Sequence, residues 1–304
     1  MNLLKSPSLH RAAALAGAAA LLGGALVACS PASDPSGDDA DANSLFDQAA
    51  ADLLPEGTTE IHIATGPGYP PFLDVADDGT TLTGAQIEQL RLLGEVLGVD
   101  IVMDDIKFDA VIPAMESGKT DGAAMAMSIT AERLESVDFV SDYLGGTSLL
   151  VAAGNPTGIT LDTMCGHTVA VQKGSVYADV YMPEFVAKCA ADGEPEIEVS
   201  TFQTAADAVL ALSSGRVEAT MNDLAPSVYQ ASQSGGTLEA LDVNYDPSLW
   251  GLALAKGSPY GEAFVAAMNH LIETGAYLDN LERFGVEAGA IEKSELYTSA
   301  DQLD

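Results

Sequence analysis

One short run of the sequence carries groups that proteins use to bind an anion. Residues 128–133 read Ser-Ile-Thr-Ala-Glu-Arg and directly follow an apolar segment. Thr130 is a good N-cap, so the run predicts a helix start, whose unpaired amides attract negative charge. Arg133 in the first turn would add a bidentate contact to a carboxylate. Arginines near helix starts are more often solvated surface charges, so the run alone is a weak signal.

An acid and two aromatic side chains occupy comparable places after other predicted strands. Asp223 follows the apolar segment 217–221 and would attract a cation, or it would cap the helix that begins near Leu224. Tyr69 and Phe108 each lie in a loop after a strand, and the prolines that follow Tyr69 stiffen its loop. A free amino acid needs a cation, an anion and a wall for its side chain. We therefore expect a site for an amino-acid-like solute.

The elements that must position these groups alternate between strand and helix, which indicates an α/β fold. Alternating apolar residues predict a strand at 60–64, and helical spacing predicts a helix from Ile87 that ends at Gly98. The order strand, helix, strand occurs over 58–150 and again over 158–245. A chain of this length exceeds what one hydrophobic core usually serves, so two packed units are expected.

Two closing helices follow the second unit, and they are expected to pack on the first. The chain would then cross between the units near 150–157 and again near 245–250. Two crossings make a hinge with a cleft beside it.

The N-terminus reads as an export signal. Residues 1–28 contain Lys5 and Arg11, no acid, and then a run of little but Ala, Leu, Gly and Val. The run closes on Cys29, which is the pattern of a bacterial lipoprotein signal, so Cys29 is predicted to carry a lipid. A cleaved secretion signal or a membrane-spanning helix with Cys29 incidental are the alternatives. Residues 30–43 are rich in Pro, Ser and Asp and predict a flexible tether.

The remaining cysteines and the charge narrow the class of protein. Cys165 and Cys189 are an even pair in an exported chain, which favours a disulfide, with two buried free thiols as the alternative. The sequence has no CxxC or HExxH motif, so no metal site is expected. A formal charge of −33 makes nucleic acid an implausible partner.

Four stretches of the sequence resemble, in the same order, the polar amino-acid-binding proteins of ABC importers. They read TGPGYPPF, FDAVIPAMESGKTDGAAMAMSITAERLESVDF, VAVQKGS and SGRVEATMND, within about residues 60–285. The resemblance implies a periplasmic-binding-protein fold of type 2, with two α/β lobes, two hinge crossings and a ligand enclosed as the lobes close. The second stretch is the most specific for this family, because it combines the strand, the helix start at 128–133 and the following VDF.

The resemblance also implies roles for the residues that would hold the amino-acid backbone. Arg133 and the amide of Ser128 would bind the α-carboxylate from the first lobe, and the amide of Val176 would bind it from the second. Asp223, with the hydroxyl of Ser128 and the carbonyl near Ala126, would bind the α-ammonium.

The side chain of the ligand would lie between Tyr69 and Phe108. Gln172 and Asn222 stand where family members often contact the side chain. Members that bind lysine, arginine or histidine often have an acid three residues before the aromatic residue, and this chain has Gly66 there. The resemblance therefore implies a neutral amino acid, whose side chain could be polar enough to meet Gln172 and Asn222.

The sequence thus predicts an extracytoplasmic, monomeric substrate-binding protein of an ABC importer, lipid-anchored to the outer face of the cell membrane. Its partners would be an L-amino acid and a membrane permease, with no cofactor. The predicted segments are the signal 1–28, the tether 29–57, lobe 1 at 58–152 and 250–290, lobe 2 at 153–249, and a tail 291–304. No nucleophile elbow, metal motif or cofactor loop occurs, so an enzyme is not expected. The alternatives are a ligand-sensing lipoprotein and a dehydratase-like enzyme on the same fold.

Overall fold

The computed structural model describes residues 45–241 and 245–303. The predicted signal 1–28, the lipidation site Cys29 and the tether up to residue 44 lie outside the described residues. The strands are β1 (Glu60–Thr65), β2 (Asp74–Val75), β3 (Leu82–Thr83), β4 (Asp100–Asp105), β5 (Gly122–Ser128), β6 (Val137–Ala152), β7 (Thr168–Gln172), β8 (Glu198–Phe202), β9 (Ala219–Asp223), β10 (Leu238–Ala240), β11 (Tyr245–Ala255) and β12 (Leu296–Tyr297). The α-helices are α1 (Gln48–Ala51), α2 (Ala85–Leu97), α3 (Val111–Glu116), α4 (Ala131–Ser136), α5 (Met182–Asp192), α6 (Ala205–Ser213), α7 (Leu224–Gln233), α8 (Gly261–Thr274) and α9 (Ala276–Phe284). In these ranges no helix is both long and apolar enough to cross a membrane.

One continuous mixed sheet runs through the described chain. Its order is β4-β1-β5-β11-β6-β9-β7-β8, and β10 and β12 also pair with β6. At one end β1 lies parallel to β4 and β5, and at the other β7 lies parallel to β8 and β9. The antiparallel pair of β6 and β11 separates these groups. Lobe 1 is built on β4-β1-β5 and lobe 2 on β9-β7-β8, which confirms the predicted two-lobe α/β fold.

The strands β6 and β11 carry the chain between the lobes. β6 exchanges its partner β11 for β9 at Thr147, and the register of the β6–β11 pair shifts between Tyr245 and Ser248. The crossing in β11 therefore lies within the predicted range 245–250. The crossing in β6 comes before the predicted range 150–157, because one uninterrupted strand spans both lobes. The lobe boundaries given above stay predictions.

A buried tryptophan packs against the crossing. Trp250 in β11 is 1% exposed and contacts the rings of Phe72 and Tyr143, at centroid distances of 5.0 and 4.9 Å. An ideal Cβ built on Gly145 in β6 would lie only 2.1 Å from Trp250 Nε1. Gly145 lies in extended strand without a positive φ, so a glycine is needed here for the space that the indole occupies.

Each lobe buries its own apolar side chains. In lobe 1, α2 and α8 pack on the sheet through Leu90, Phe264 and Met268, which are fully buried. In lobe 2, Val169 and Met221 of the sheet pack with side chains of the helical segment 177–192. Burial on both sides of the sheet explains why its strands read as short apolar runs.

The predicted disulfide is present and lies within lobe 2. Cys165 and Cys189 are bonded, with a sequence separation of 24 residues. The bond links the segment before β7 to α5 at the edge of the lobe 2 core. The alternative of two free thiols is therefore wrong.

Both ends of the described chain pack on lobe 1. The tether 29–57 stays a prediction, but part of that range is structured, because the short helix α1 buries Ala50 completely in the lobe 1 core. A helix of four residues is too short to give a periodic signal in the sequence. The predicted tail 291–304 contributes β12, which pairs with β6, and it buries Ser294.

Candidate functional site

The residues that the sequence predicts to contact a ligand lie around one cavity between the lobes. Its volume is about 20 Å³, which is space for about one water molecule. These side chains stand at or just beyond the C-terminal ends of parallel strands, where open α/β sheets form binding crevices. Their role in binding stays a prediction. The lining residues are Tyr69, Phe108, Ala126, Ser128 and Arg133 from lobe 1 and Gln172, Ser175, Val176, Tyr177, Asn222 and Asp223 from lobe 2.

Arg133 connects the two lobes at one side of the cavity. Thr130 caps α4 as predicted, and its hydroxyl accepts a hydrogen bond from the Arg133 N–H at 3.2 Å. The guanidinium donates to the carbonyl of Ser128 at 2.8 Å and, across the cleft, to the carbonyl of Gly174 at 3.0 Å. It also lies 5.6 Å from the centre of the Phe108 ring. Burial lowers the pKa of Arg133, yet arginine stays protonated in proteins, so the cavity has a permanent cation.

Asp223 provides the opposite charge. It ends β9 and stands at the N-cap position of α7, where the capping interpretation places it, but its side chain makes no capping hydrogen bond. Its carboxylate accepts hydrogen bonds from the hydroxyls of Tyr177, at 2.6 Å, and Tyr69. Burial raises the pKa of Asp223 to about 6, although both hydroxyls and Arg133 act to lower it. The carboxylate is therefore mostly ionised at neutral pH.

Contacts across the cleft hold the lobes together in this structure. The hydroxyl of Tyr69 in lobe 1 reaches Asp223 and lies 2.7 Å from Asn222 Oδ1 in lobe 2. At the rim, Lys173 Nζ of lobe 2 lies 2.7 Å from Asp109 Oδ2 of lobe 1. Because the enclosed space fits about one water, an amino acid could enter only after the lobes separate.

A buried polar network supports the backbone of the cavity. Ala126 has a φ of 51°, a conformation that residues with a Cβ rarely adopt. Its N–H donates to Gln86 Oε1 at 2.7 Å, and Gln86 Nε2 donates to Asp142 Oδ2 at 2.8 Å. Gln89 also donates to Asp142, at 3.2 Å, and burial raises the pKa of that carboxyl to about 6. The network therefore fixes the unusual backbone of Ala126 where it lines the cavity.

Gln86 and Tyr177 take part in the site although no motif in the sequence marks them. Gln86 is buried on the helix α2 among apolar residues, and a polar residue on the apolar face of a helix was the available signal. Tyr177 opens a π-helical turn, Tyr177–Tyr181, before α5. Such turns are frequent at functional sites, but nothing in this sequence announces one.

A second cavity adjoins the first and has a volume of about 250 Å³. It shares Tyr69, Phe108 and Gln172 with the first cavity and does not include Arg133. Asp105 also lines it. Across the described ranges, no cluster of His, Cys, Asp and Glu is arranged to hold a metal ion.

Solved structures of amino-acid-binding proteins share this fold. An ancestral arginine-binding protein bound to arginine is 29% identical, with a TM-score of 0.66 over 74% of this chain and 97% of its own. An ancestral arginine-binding protein bound to glutamine is 28% identical, with a TM-score of 0.67 over 75% and 98% of the chains. An ancestral amino-acid-binding protein that is a precursor of cyclohexadienyl dehydratase is 27% identical, with a TM-score of 0.63 over 74% and 95%. The fold is therefore the two-lobe, type 2 fold of periplasmic-binding proteins.

Sequence comparison gives the family. Residues 61–287 match the bacterial extracellular solute-binding proteins, family 3, and the chain belongs to that family. The arginine-binding protein ArgT of Corynebacterium glutamicum is 28% identical over 244 residues, which is 80% of each chain. Family members are extracytoplasmic proteins that bind solutes.

Proposed function

We propose that the protein is the extracytoplasmic binding component of an ABC importer, which encloses an L-amino acid between its lobes and delivers it to the permease. The observation that carries this proposal is the pair of Arg133 and Asp223, opposite charges from different lobes on one enclosed cavity. A free amino acid has a carboxylate and an ammonium on one carbon, and both need a partner of opposite charge when water is excluded. The relatives, which include arginine-binding proteins, support the same ligand class.

The backbone of the ligand would be held from both lobes. Its α-carboxylate would bind the guanidinium of Arg133 and the backbone amides of Ser128 and Val176. Its α-ammonium would bind Asp223, the hydroxyl of Ser128 and the carbonyl of Ala126. Charge-assisted hydrogen bonds of this kind are about twice as strong as neutral ones, so the clamp would supply much of the affinity.

When the ligand binds, its ammonium would replace the Tyr69 hydroxyl as a hydrogen-bond donor to the Asp223 carboxylate. The hydroxyl of Tyr69 now donates to Asp223, and the ligand ammonium would take over that carboxylate as Tyr69 moves aside. The rings of Tyr69 and Phe108 would then lie on either side of the ligand side chain. Gln172 and Asn222 would be available to its polar groups.

Calorimetric titration of the ligand-stripped protein with the twenty amino acids tests this proposal. We expect saturable binding of at least one L-amino acid and much weaker binding of its D-enantiomer, in which the side chain is misplaced once carboxylate and ammonium are held. Arg133→Ala should abolish tight binding, whereas Arg216→Ala, at an exposed arginine of lobe 2, should not. Failure of every L-amino acid to bind would refute the proposal.

Whether the ligand has a neutral or a charged side chain would depend on the groups near residue 66, where the end of that side chain would lie. Gly66 has no acid to offer, which is why the sequence predicts a neutral or polar amino acid. The buried Gly66, however, lies beside an acid of the neighbouring strand β4, Asp105. The same titration panel distinguishes neutral from cationic ligands.

We further propose that the protein binds its ligand without changing it chemically. Burial and the nearby Asp223 carboxylate raise the pKa values of Tyr69 and Tyr177 well above 10, so both phenols stay protonated and act as donors. A general base with a pKa near neutrality is then left to Asp223, which the ammonium would occupy. NMR of the ligand recovered after incubation should show an unchanged molecule, and a dehydrated product would refute the non-enzymatic role.

The proposed place of action is the outer face of the cell membrane, with the monomer attached by a lipid on Cys29. The signal pattern that ends at Cys29 supports this attachment. Cys29→Ala should release the full chain into the medium with its ligand affinity intact. Attachment of that variant to membranes in a fractionation experiment would contradict the anchor.

A further inference from the structure

The enclosed site continues into the adjoining cavity of about 250 Å³, and the two share Tyr69, Phe108 and Gln172. The adjoining cavity contains neither Arg133 nor Asp223, so it lies at the end away from the backbone clamp. A side chain that passes between the two rings would enter it. Its lining groups would then contact the end of that side chain.

An unpaired carboxylate lines this cavity. The side chain of Asp105 is exposed at the cavity and makes no hydrogen bond or ion pair with any residue of the described ranges. Lys107 is the other charged residue on the cavity, and it is exposed and forms no ion pair with Asp105. The lone pairs of Asp105 are thus available to a donor that enters the cavity.

The absence of a side chain at Gly66 makes room for this carboxylate. β1 and β4 run parallel, with Thr65 opposite Asp105, so Asp105 stands beside Gly66 at the C-terminal ends of both strands. An ideal Cβ on Gly66 would lie 3.1 Å from Asp105 Oδ1, closer than ordinary contact. A side chain at position 66 would therefore push the carboxylate aside by a few tenths of an ångström. Asp105 thus supplies an acid beside position 66, where the sequence itself has a glycine.

We propose that Asp105 selects the ligand side chain and that it selects a cationic one, a guanidinium or an ammonium, which passes between Tyr69 and Phe108. This inference rests on the proposed function, since it assumes that the backbone clamp holds an amino acid. The cation would donate to a carboxylate that is otherwise free, with Gln172 as a further acceptor on the shared wall.

The test compares L-arginine with L-citrulline, which has nearly the same shape but no charge. Calorimetry on the full protein should show arginine binding about 10- to 100-fold more tightly, as expected for a hydrogen bond that gains a charge. Asp105→Asn should remove most of this preference, because it weakens arginine binding far more than citrulline binding. Asp104→Asn is the matched control, because Asp104 pairs with His62 and does not line the cavity. It should leave the preference as it is.

A second variant tests the partnership with Gly66. Gly66→Asp combined with Asp105→Ala moves the acid to the neighbouring strand end, and we expect it to restore the preference for arginine. Arginine preference that survives in Asp105→Asn would overturn the role of Asp105. Tight binding of a neutral amino acid with weak arginine binding would overturn the cationic class while leaving the proposed function intact. No binding of any amino acid would instead refute the proposed function.

Discussion

Asp223→Asn is the substitution whose effect can be worked out most fully. The ligand ammonium would bind the carboxylate of Asp223 in its ionised form. Burial raises the pKa of this carboxylate from 3.8 to about 6, so part of it is protonated in weak acid. Protons and ligand therefore compete for the same group. The asparagine variant keeps the shape and an oxygen acceptor for Tyr177 but cannot be ionised, so it isolates the charge.

The magnitude follows from the pKa. In the wild type the ionised fraction of Asp223 is near one at pH 7.5 and about one tenth at pH 5, so the Kd should rise about tenfold over that range. Asp223→Asn should weaken binding at pH 7.5 by about 2 to 5 kcal/mol, because the buried ammonium loses its partner. The Kd of the variant should then be nearly independent of pH.

The same substitution should have the opposite effect on folding. Because the folded pKa lies above the unfolded one, this carboxyl binds more protons in the folded state between about pH 4 and 6, and stability falls as the pH rises through that window. The difference between 3.8 and about 6 corresponds to about 3 kcal/mol at neutral pH, as an upper estimate. Asp223→Asn should thus raise the free energy of unfolding of the ligand-free protein.

Calorimetry in buffers of different ionisation enthalpy measures both quantities. We expect about one proton released per ligand near pH 5 and almost none near pH 7.5 in the wild type. Chemical denaturation at neutral pH gives the change in stability. The reasoning fails if the wild-type Kd is constant from pH 7.5 to 5, or if Asp223→Asn binds the ligand as tightly as the wild type does.

Three further substitutions test other parts of the structure. Arg133→Ala should cost about 2 to 5 kcal/mol of binding in calorimetry with little change in melting temperature, and unchanged affinity would remove Arg133 from the site. Replacing Cys165 and Cys189 by serine should lower the free energy of unfolding by about 3 to 4 kcal/mol in denaturant titrations and leave the Kd unchanged, because the bond closes a loop within one lobe. Gln86→Leu leaves the N–H of Ala126 unpaired and should weaken binding by about 1 to 3 kcal/mol, whereas an unchanged Kd would show that the network serves folding alone.

The parts of the site that could be predicted from the sequence are those that depend on neighbours along the chain. Thr130 caps the helix that positions Arg133, and both follow the strand β5 within a few residues. Asp223 likewise ends its own strand. Local capping and the position after a strand placed each residue on its own element, and the resemblance to amino-acid-binding proteins implied that they share one site.

The parts that could not be predicted depend on residues far apart in sequence. Asp105 acquires its place from the parallel register of β1 and β4, which brings it beside Gly66. Gln86 acquires its role from Ala126, whose unusual φ has no sequence signal in a non-glycine residue. The crossing in β6 was misplaced for a related reason, since a strand shared by two lobes gives no break to mark it.

Gly145, near the crossing between the lobes, restricts bending of the hinge, whereas hinge glycines usually make bending easier. Gly145 is followed by Gly146, and two consecutive glycines in a hinge usually allow easy bending. Here, however, the space beside Gly145 is filled by Trp250, whose ring forms a cluster with the rings of Phe72 and Tyr143. We therefore expect β6 to be rigid at Gly145, on the lobe 1 side of the crossing. Bending should occur from Thr147 onward, where β6 exchanges its partner β11 for β9. Opening would then be a rotation of lobe 2 away from a lobe 1 that includes the rigid first half of β6.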